Sequence, residues 1–197
     1  MNLFGSIEQY YSYNSFLRLM EDLVMAGKTT GIYQSASLIY FTKLNLQRLL
    51  RWDKTFQLSN ETTATISSAK PQIWWVITEA WCGDAAQTLP VINKMAEASS
   101  GNIKLRIIMR DEHTDIMNQY LTNGGRSIPK LIAIGDNGNE LFNWGPRPAA
   151  PQKMMMDWKS NNNGLTLDDI EKQIHLWYAK DKGISTEKEL TNLLRPQ

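Results

Sequence analysis

Residues 72–90 read QIWWVITEAWCGDAAQTLP, and the chemistry of the chain changes in the middle of that stretch. Residues 72–78 are β-branched or aromatic with almost no polarity. A near-continuous apolar run of that length suits a central strand covered on both faces. From Gly83 the pattern becomes that of a helix, GDAAQTLPVINKMAEAS. Cys82, the chain's single cysteine, stands where the strand ends and the helix begins. A helix N-terminus presents unpaired backbone N–H groups and a positive dipole end. Both favour a thiolate, which lowers a thiol pKa. The neighbouring Asp84 acts the other way, since like charge disfavours a thiolate. It also suits the first helical turn for purely structural reasons. Trp81 gives the loop a rigid aromatic shoulder, and Pro90 is expected to kink the helix it interrupts.

Downstream, IKLRIIMRD (103–111) reads as a second apolar strand, and HTDIMNQYLTNGG (113–125) as a shorter helix ending at Gly124 and Gly125. IPKLIAIGDNGNELFNWG (128–145) reads as two antiparallel strands around an Asn137–Gly138 turn. The order is therefore β-α-β-α-β-β. A helix over PAAPQKMMMDWKS follows, with Met154, Met155 and Met156 as packing residues. TLDDIEKQIHLWYAK has Thr166 and Asp169 in capping-box positions, and the tail repeats that spacing with Thr186 and Glu189.

Upstream, residues 1–70 read as mostly helical. Tyr10, Phe16, Leu17, Met20 and Val24 recur at helical spacing, with Gly27 as a stop. A second helix carries Leu38, Ile39, Phe41, Leu44, Leu46, Leu49 and Leu50, and QLSNETTATISSAKP (57–71) reads as a connection. The expected division is a helical extension, 1–70, packed on a core unit, 71–197, that ends in helices.

The residues around Cys82 resemble the active-site loop of the thioredoxin superfamily, W-C-x-x-C at the start of a helix that later contains a proline. Trp81, Cys82, Gly83, Asp84 and Pro90 match, while Ala85 stands where the second cysteine would be. The family also faces its reactive sulfur with a cis-proline before a strand, and Ile128–Pro129 supplies an X-Pro bond there. The resemblance covers roughly residues 70–150, with the helix at 166–180 completing the fold. It implies an α/β thioredoxin-like fold, a central mixed β-sheet flanked by helices. The helical N-terminus resembles the extension of some bacterial thioredoxin-like proteins that carry W-C-G-D. Val76 replaces the aspartate that thioredoxins bury as a proton relay, a loss that fits the missing second thiol.

The resemblance implies that Cys82 is the nucleophile, with Trp81, Gly83, Asp84, Ala85, Ile128 and Pro129 contacting substrate. With no resolving cysteine, an attacked disulfide stops at a mixed disulfide unless an external thiol releases it. The leading expectation is a monothiol thiol–disulfide exchange protein acting on protein or low-molecular-weight thiols and disulfides. Two readings compete with it. One is a redox-inactive binding or scaffold module, which leaves a homo-oligomer open. The other is a thiol peroxidase or redox sensor using Arg126 and Ser127 beside the sulfur.

Bulk composition narrows the classes. Across 197 residues, 21 Lys and Arg face 20 Asp and Glu, for a net charge of +1. No concentrated basic run suggests nucleic acid, and no apolar run suggests a membrane span. One cysteine and the absence of a secretory-type start favour a reducing cytoplasm. His113 and His175 lack metal-ligand spacing, so neither a metal nor a cofactor is expected.

Overall fold

The computed structural model describes residues 3–195. Four strands form one mixed sheet in the order β2-β1-β3-β4. β1 (Gln72–Thr78) lies parallel to β2 (Ile103–Met109) and antiparallel to β3 (Lys130–Gly135), which pairs antiparallel with β4 (Glu140–Trp144). The period of two along β1 divides its side chains between two faces. Trp74 and Val76 enter a large core with Phe16 and Met20 of α1 (Tyr13–Met25), Leu49 and Trp52 of α2 (Ala36–Thr55), and Leu89 of α4 (Gly83–Ala98). Trp75 and Ile77 enter a second core with Phe4, Ile108, Ile116, Ile128 and Cys82. A third cluster joins Met155 of α6 (Ala149–Ser160) to Ile170, Ile174 and Tyr178 of α7 (Leu167–Asp181).

The β-α-β-α-β-β order is observed, and α4 runs as one helix through Pro90. Four local expectations need correction. Residues 57–71 contain a helix, α3 (Asn60–Ser67), because the Ser59 hydroxyl accepts from Thr62 N–H and starts a turn that the Ser/Thr-rich composition concealed. The helix expected over 113–125 is only α5 (Thr114–Met117). Asn123 and Gly124 both have positive φ and build a tight turn closed by the Thr122–Gly125 pair. Tyr10 lies ahead of α1, and its neighbour Tyr11 forms a β-bridge with Ile107 on the β2 edge. Thr186 does not cap the last helix. α8 (Ile184–Leu194) begins directly after Gly183, whose φ is +83°, and Thr186 is buried inside it. Glu189 instead accepts from Trp144 Nε1 and Ala149 N–H, tying α8 to the start of α6.

The segments ahead of β1 pack on the sheet unit. Both backbone groups of Ala80 are held from there: its N–H donates to the Thr30 hydroxyl at 2.9 Å, and its carbonyl accepts from buried Asn45 on α2 at 3.1 Å. The loop before Cys82 is therefore fixed by residues distant in sequence.

Candidate functional site

Cys82 is the N-cap residue of α4, with φ −74° and ψ 109°. Its sulfur accepts from the Ala85 N–H at 3.4 Å, the bond a serine or threonine cap would make. The thiol also donates at 3.4 Å to the Ile128 carbonyl, the carbonyl of the cis Ile128–Pro129 peptide itself. The first contact favours a thiolate, and the second requires that the proton stay. Burial decides between them: the side chain is 6% exposed, and burial first, then the Asp84 charge, push the thiol up to about 12. Of the two opposing effects expected from sequence, the helix terminus does not prevail.

Asp84 lies beneath the loop, buried. Its carboxylate pairs with Arg147 at 2.7 Å and accepts from the Tyr178 hydroxyl at 3.1 Å. Desolvation raises its pKa even so, against Arg147, Tyr178 and Arg48, which lower it. On the other side of the loop, buried Glu79 accepts from Asp111 N–H at 2.9 Å, and burial raises its carboxyl too. Arg110 binds Asp111 at 2.9 Å and lies over the Trp81 ring at 4.8 Å. His175 reaches in from α7 and approaches Gly83 so closely that a Cβ there would stand 2.8 Å from Nε2. Only glycine fits under it. Burial, then Arg48 and Arg147, lower the His175 pKa to about 4, so the ring is neutral near pH 7.

Two cis-proline turns meet beside this group. Gly145, with φ +110°, precedes the cis Gly145–Pro146 bond, and a side chain at Gly145 would collide with the Pro129 carbonyl. Arg147 follows in this turn, paired with Asp84 and close enough to Cys82 for its charge to act on the thiol.

A cavity of ≈ 310 Å³ opens above the sulfur. Trp81, Cys82, Gly83 and Asp84 line one side and Arg126, Ser127 and Ile128 another. Arg110, Arg147, Leu38 and Phe41 of α2, and Glu171, Ile174 and His175 of α7 complete the wall. Five of the seven residues anticipated from sequence thus line one cavity. Ala85 acts through its N–H on the sulfur and Pro129 is buried behind Ile128. Arg147, Tyr178, His175 and Arg48 were not anticipated. Gly145–Pro146 ahead of Arg147 was the available signal for one of them, as a second Gly/Pro turn beside a strand end. Among the described residues no cluster of His, Cys, Asp and Glu is arranged to hold a metal, and no helix is long and apolar enough to cross a membrane.

Comparison with known proteins bears on the fold and the family. The chain is similar to thioredoxin 1 of Nostoc sp., with 36% identity over 52 residues, 26% of this chain and 46% of that one. It is similar to thioredoxin 1 of Synechococcus elongatus, with 34% identity over 56 residues, 28% and 50% of the two chains. The chain therefore spans about half the length of these relatives. Two crystal structures share the fold at 17% identity. A Pseudomonas aeruginosa protein of unknown function gives a TM-score of 0.59 over 93% of this chain and 97% of that one. An HIV epitope scaffold gives 0.56 over 93% and 98%. A family model described as Thioredoxin matches residues 31–159, from just ahead of α2 into α6, and so includes the cysteine loop, the Ile128–Pro129 turn and Arg147. The chain belongs to the thioredoxin family.

Proposed function

We propose that the protein is a monothiol exchange catalyst in which Cys82 forms a mixed disulfide with substrate and an external thiol resolves it. The carrying observation is the placement of the sulfur at the N-terminus of α4, facing the Ile128 carbonyl, at the floor of an open cavity. Trp81, Gly83, Asp84, Ala85, Ile128 and Pro129 form its surroundings in this reading. Burial holds the thiol protonated at rest, so it is slow to oxidise by accident. A substrate that displaces the Ile128 hydrogen bond leaves the Ala85 N–H and the Arg147 charge to favour the thiolate. Residues 1–70 serve as a packed extension that holds the loop through Thr30 and Asn45, on the core unit 71–197. Substrates are protein or small disulfides.

The test is formation of a mass-detectable adduct on Cys82 with hydroxyethyl disulfide, and its release by added thiol. Wild-type protein is expected to cycle and Cys82→Ser to be silent. A folded protein that forms no adduct defeats the reading.

The raised thiol pKa and 6% exposure favour a second reading, a binding module in which Cys82 is a structural cap. There, Cys82→Ser keeps every partner recovered with the wild type.

A further inference from the structure

Arginines and acids line the Cys82 cavity, and once the ion pairs are counted one cation, Arg126, and one anion, Glu171 on the α7 wall, are left outside any ion pair among the described residues. Arg110, Arg126 and Arg147 face the cavity, against Asp84 and Glu171. Arg110 is held by Asp111 and Arg147 by Asp84. Arg126 has no carboxylate partner among the described residues. Its Nε donates to Asn118 Oδ1 at 2.8 Å, which fixes the guanidinium at the rim while its terminal nitrogens stay outside any ion pair.

The dimensions limit the guest. A volume of ≈ 310 Å³ is at the small end of the usual ~300–1,000 Å³ for small-molecule sites. α2 and α7 wall the cavity on two sides, and the sulfur at its floor is 6% exposed. A flat protein face would meet that floor poorly, whereas a slim disulfide or a protruding disulfide-bearing loop fits the opening. A planar guanidinium fork matches a carboxylate in two parallel hydrogen bonds.

We infer that the cavity takes small disulfides and thiols bearing a carboxylate, with Arg126 as the anchor. This rests on the exchange reading above and names its substrate class. The chemistry balances without an outside oxidant. For a disulfide R–S–S–R′ in which R carries the carboxylate, Cys82 gives up its proton and attacks the sulfur of R. The S–S bond breaks, R′–S⁻ leaves and takes a proton, and Cys82–S–S–R forms. A second R–SH, as thiolate, attacks the sulfur of R in that adduct. This gives R–S–S–R and returns the Cys82 thiol. The sum is R–S–S–R′ + R–SH → R–S–S–R + R′–SH.

Three symmetric probes of similar size separate the outcomes: dithiodipropionate (anionic), hydroxyethyl disulfide (neutral) and cystamine (cationic). The readout is the rate of adduct formation on Cys82 by intact mass, at low and high salt. The anionic probe is expected to lead the neutral one by about tenfold at low salt, the size of a local electrostatic focusing effect. The cationic probe should be slowest, and salt should compress the series. Arg126→Ala is expected to bring the anionic-to-neutral ratio close to one, and Arg126→Lys to recover part of it. Lys104→Ala, on the exposed part of β2, should keep it. A neutral probe as fast as the anionic one, or a ratio unchanged by Arg126→Ala, overturns the anchor while leaving exchange standing. No adduct with any probe on a folded protein overturns both.

Discussion

Two helix N-termini in this molecule make the same bond for different ends. At α7 the Thr166 hydroxyl accepts from Asp169 N–H at 3.2 Å, and Asp169 reaches back to the Thr166 N–H at 2.9 Å. At α4 the Cys82 sulfur accepts from Ala85 N–H at 3.4 Å, and Asp84 does not reach back. Asp84 is turned instead to Arg147 and Tyr178. The first cap is exposed, reciprocal and local. The second is buried, uses a weak acceptor, and depends on α7, on the turn after β4, and on Ile128. A helix start spent on stability is complete within four residues, whereas one that carries a candidate reactive group takes its support from across the fold.

Removing each acid gives the largest contrast. Asp84→Ala leaves Arg147 mostly buried without its charge partner, and a loss of about 3–5 kcal/mol is expected in denaturant unfolding. Asp169→Ala at the exposed cap should cost much less. If the two losses are similar, Asp84 is no more than a first-turn acid.

Titration sharpens the difference next. Alkylation of Cys82 by iodoacetamide should keep rising with pH beyond the ordinary cysteine range of about 8.5, without a plateau there, because burial holds the thiol near 12. Asp84→Asn removes the second contribution to that rise, so its profile should shift to lower pH. A wild-type plateau near pH 7 would contradict the buried, hydrogen-bonded thiol. His175 should stay neutral down to about pH 4, observable as a ring-proton NMR shift that does not move between pH 7 and 5. Its folded pKa lies below the unfolded value of about 6.5. Its contribution to stability is therefore complete above about 6.5 and lost as pH falls through 4, by up to about 3 kcal/mol. Titration near 6.5 would mean that His175 does not press on Gly83.

The caps themselves should differ least. Thr166→Ala is expected to lower stability by about 1 kcal/mol. Cys82→Ser, whose hydroxyl is the better acceptor and still finds the Ile128 carbonyl, should change stability by less than about 1 kcal/mol while abolishing any adduct. A large loss from Cys82→Ser would show that sulfur packing, not the cap bond, sets the geometry.

The elements legible in the sequence are those whose signal is local. QIWWVIT is apolar on both faces because both faces are covered, and DNGN between two apolar runs specifies a hairpin. Thr166 and Asp169 declare their cap within four residues. Trp81, Cys82 and the Ile128–Pro129 turn were recognisable as a set. What escaped was assembled over distance. Arg147 stands 63 positions from Asp84 and 65 from Cys82, and His175 stands 92 from Gly83. Nothing in their flanking residues states that they meet. α3 was missed because Thr and Ser are weak helix formers, and a single hydroxyl cap with packing on α8 outweighs that. The Cys82 pKa could not be signed from sequence because burial, its leading cause, is a property of the packed fold.

The Tyr11–Ile107 bridge gives the sheet borders of unequal openness. An uncovered border strand is a template for strand addition and runaway assembly between copies. Here β2 meets the chain's own N-terminal segment through two backbone hydrogen bonds of 2.8 Å at Tyr11. The opposite border, β4, offers Glu140, Leu141 and Asn143 to solvent. Clipping the segment ahead of α1 would therefore do two things at once: strip Phe4 from its stack on Trp75 in the second core, and free the β2 border for pairing with another chain.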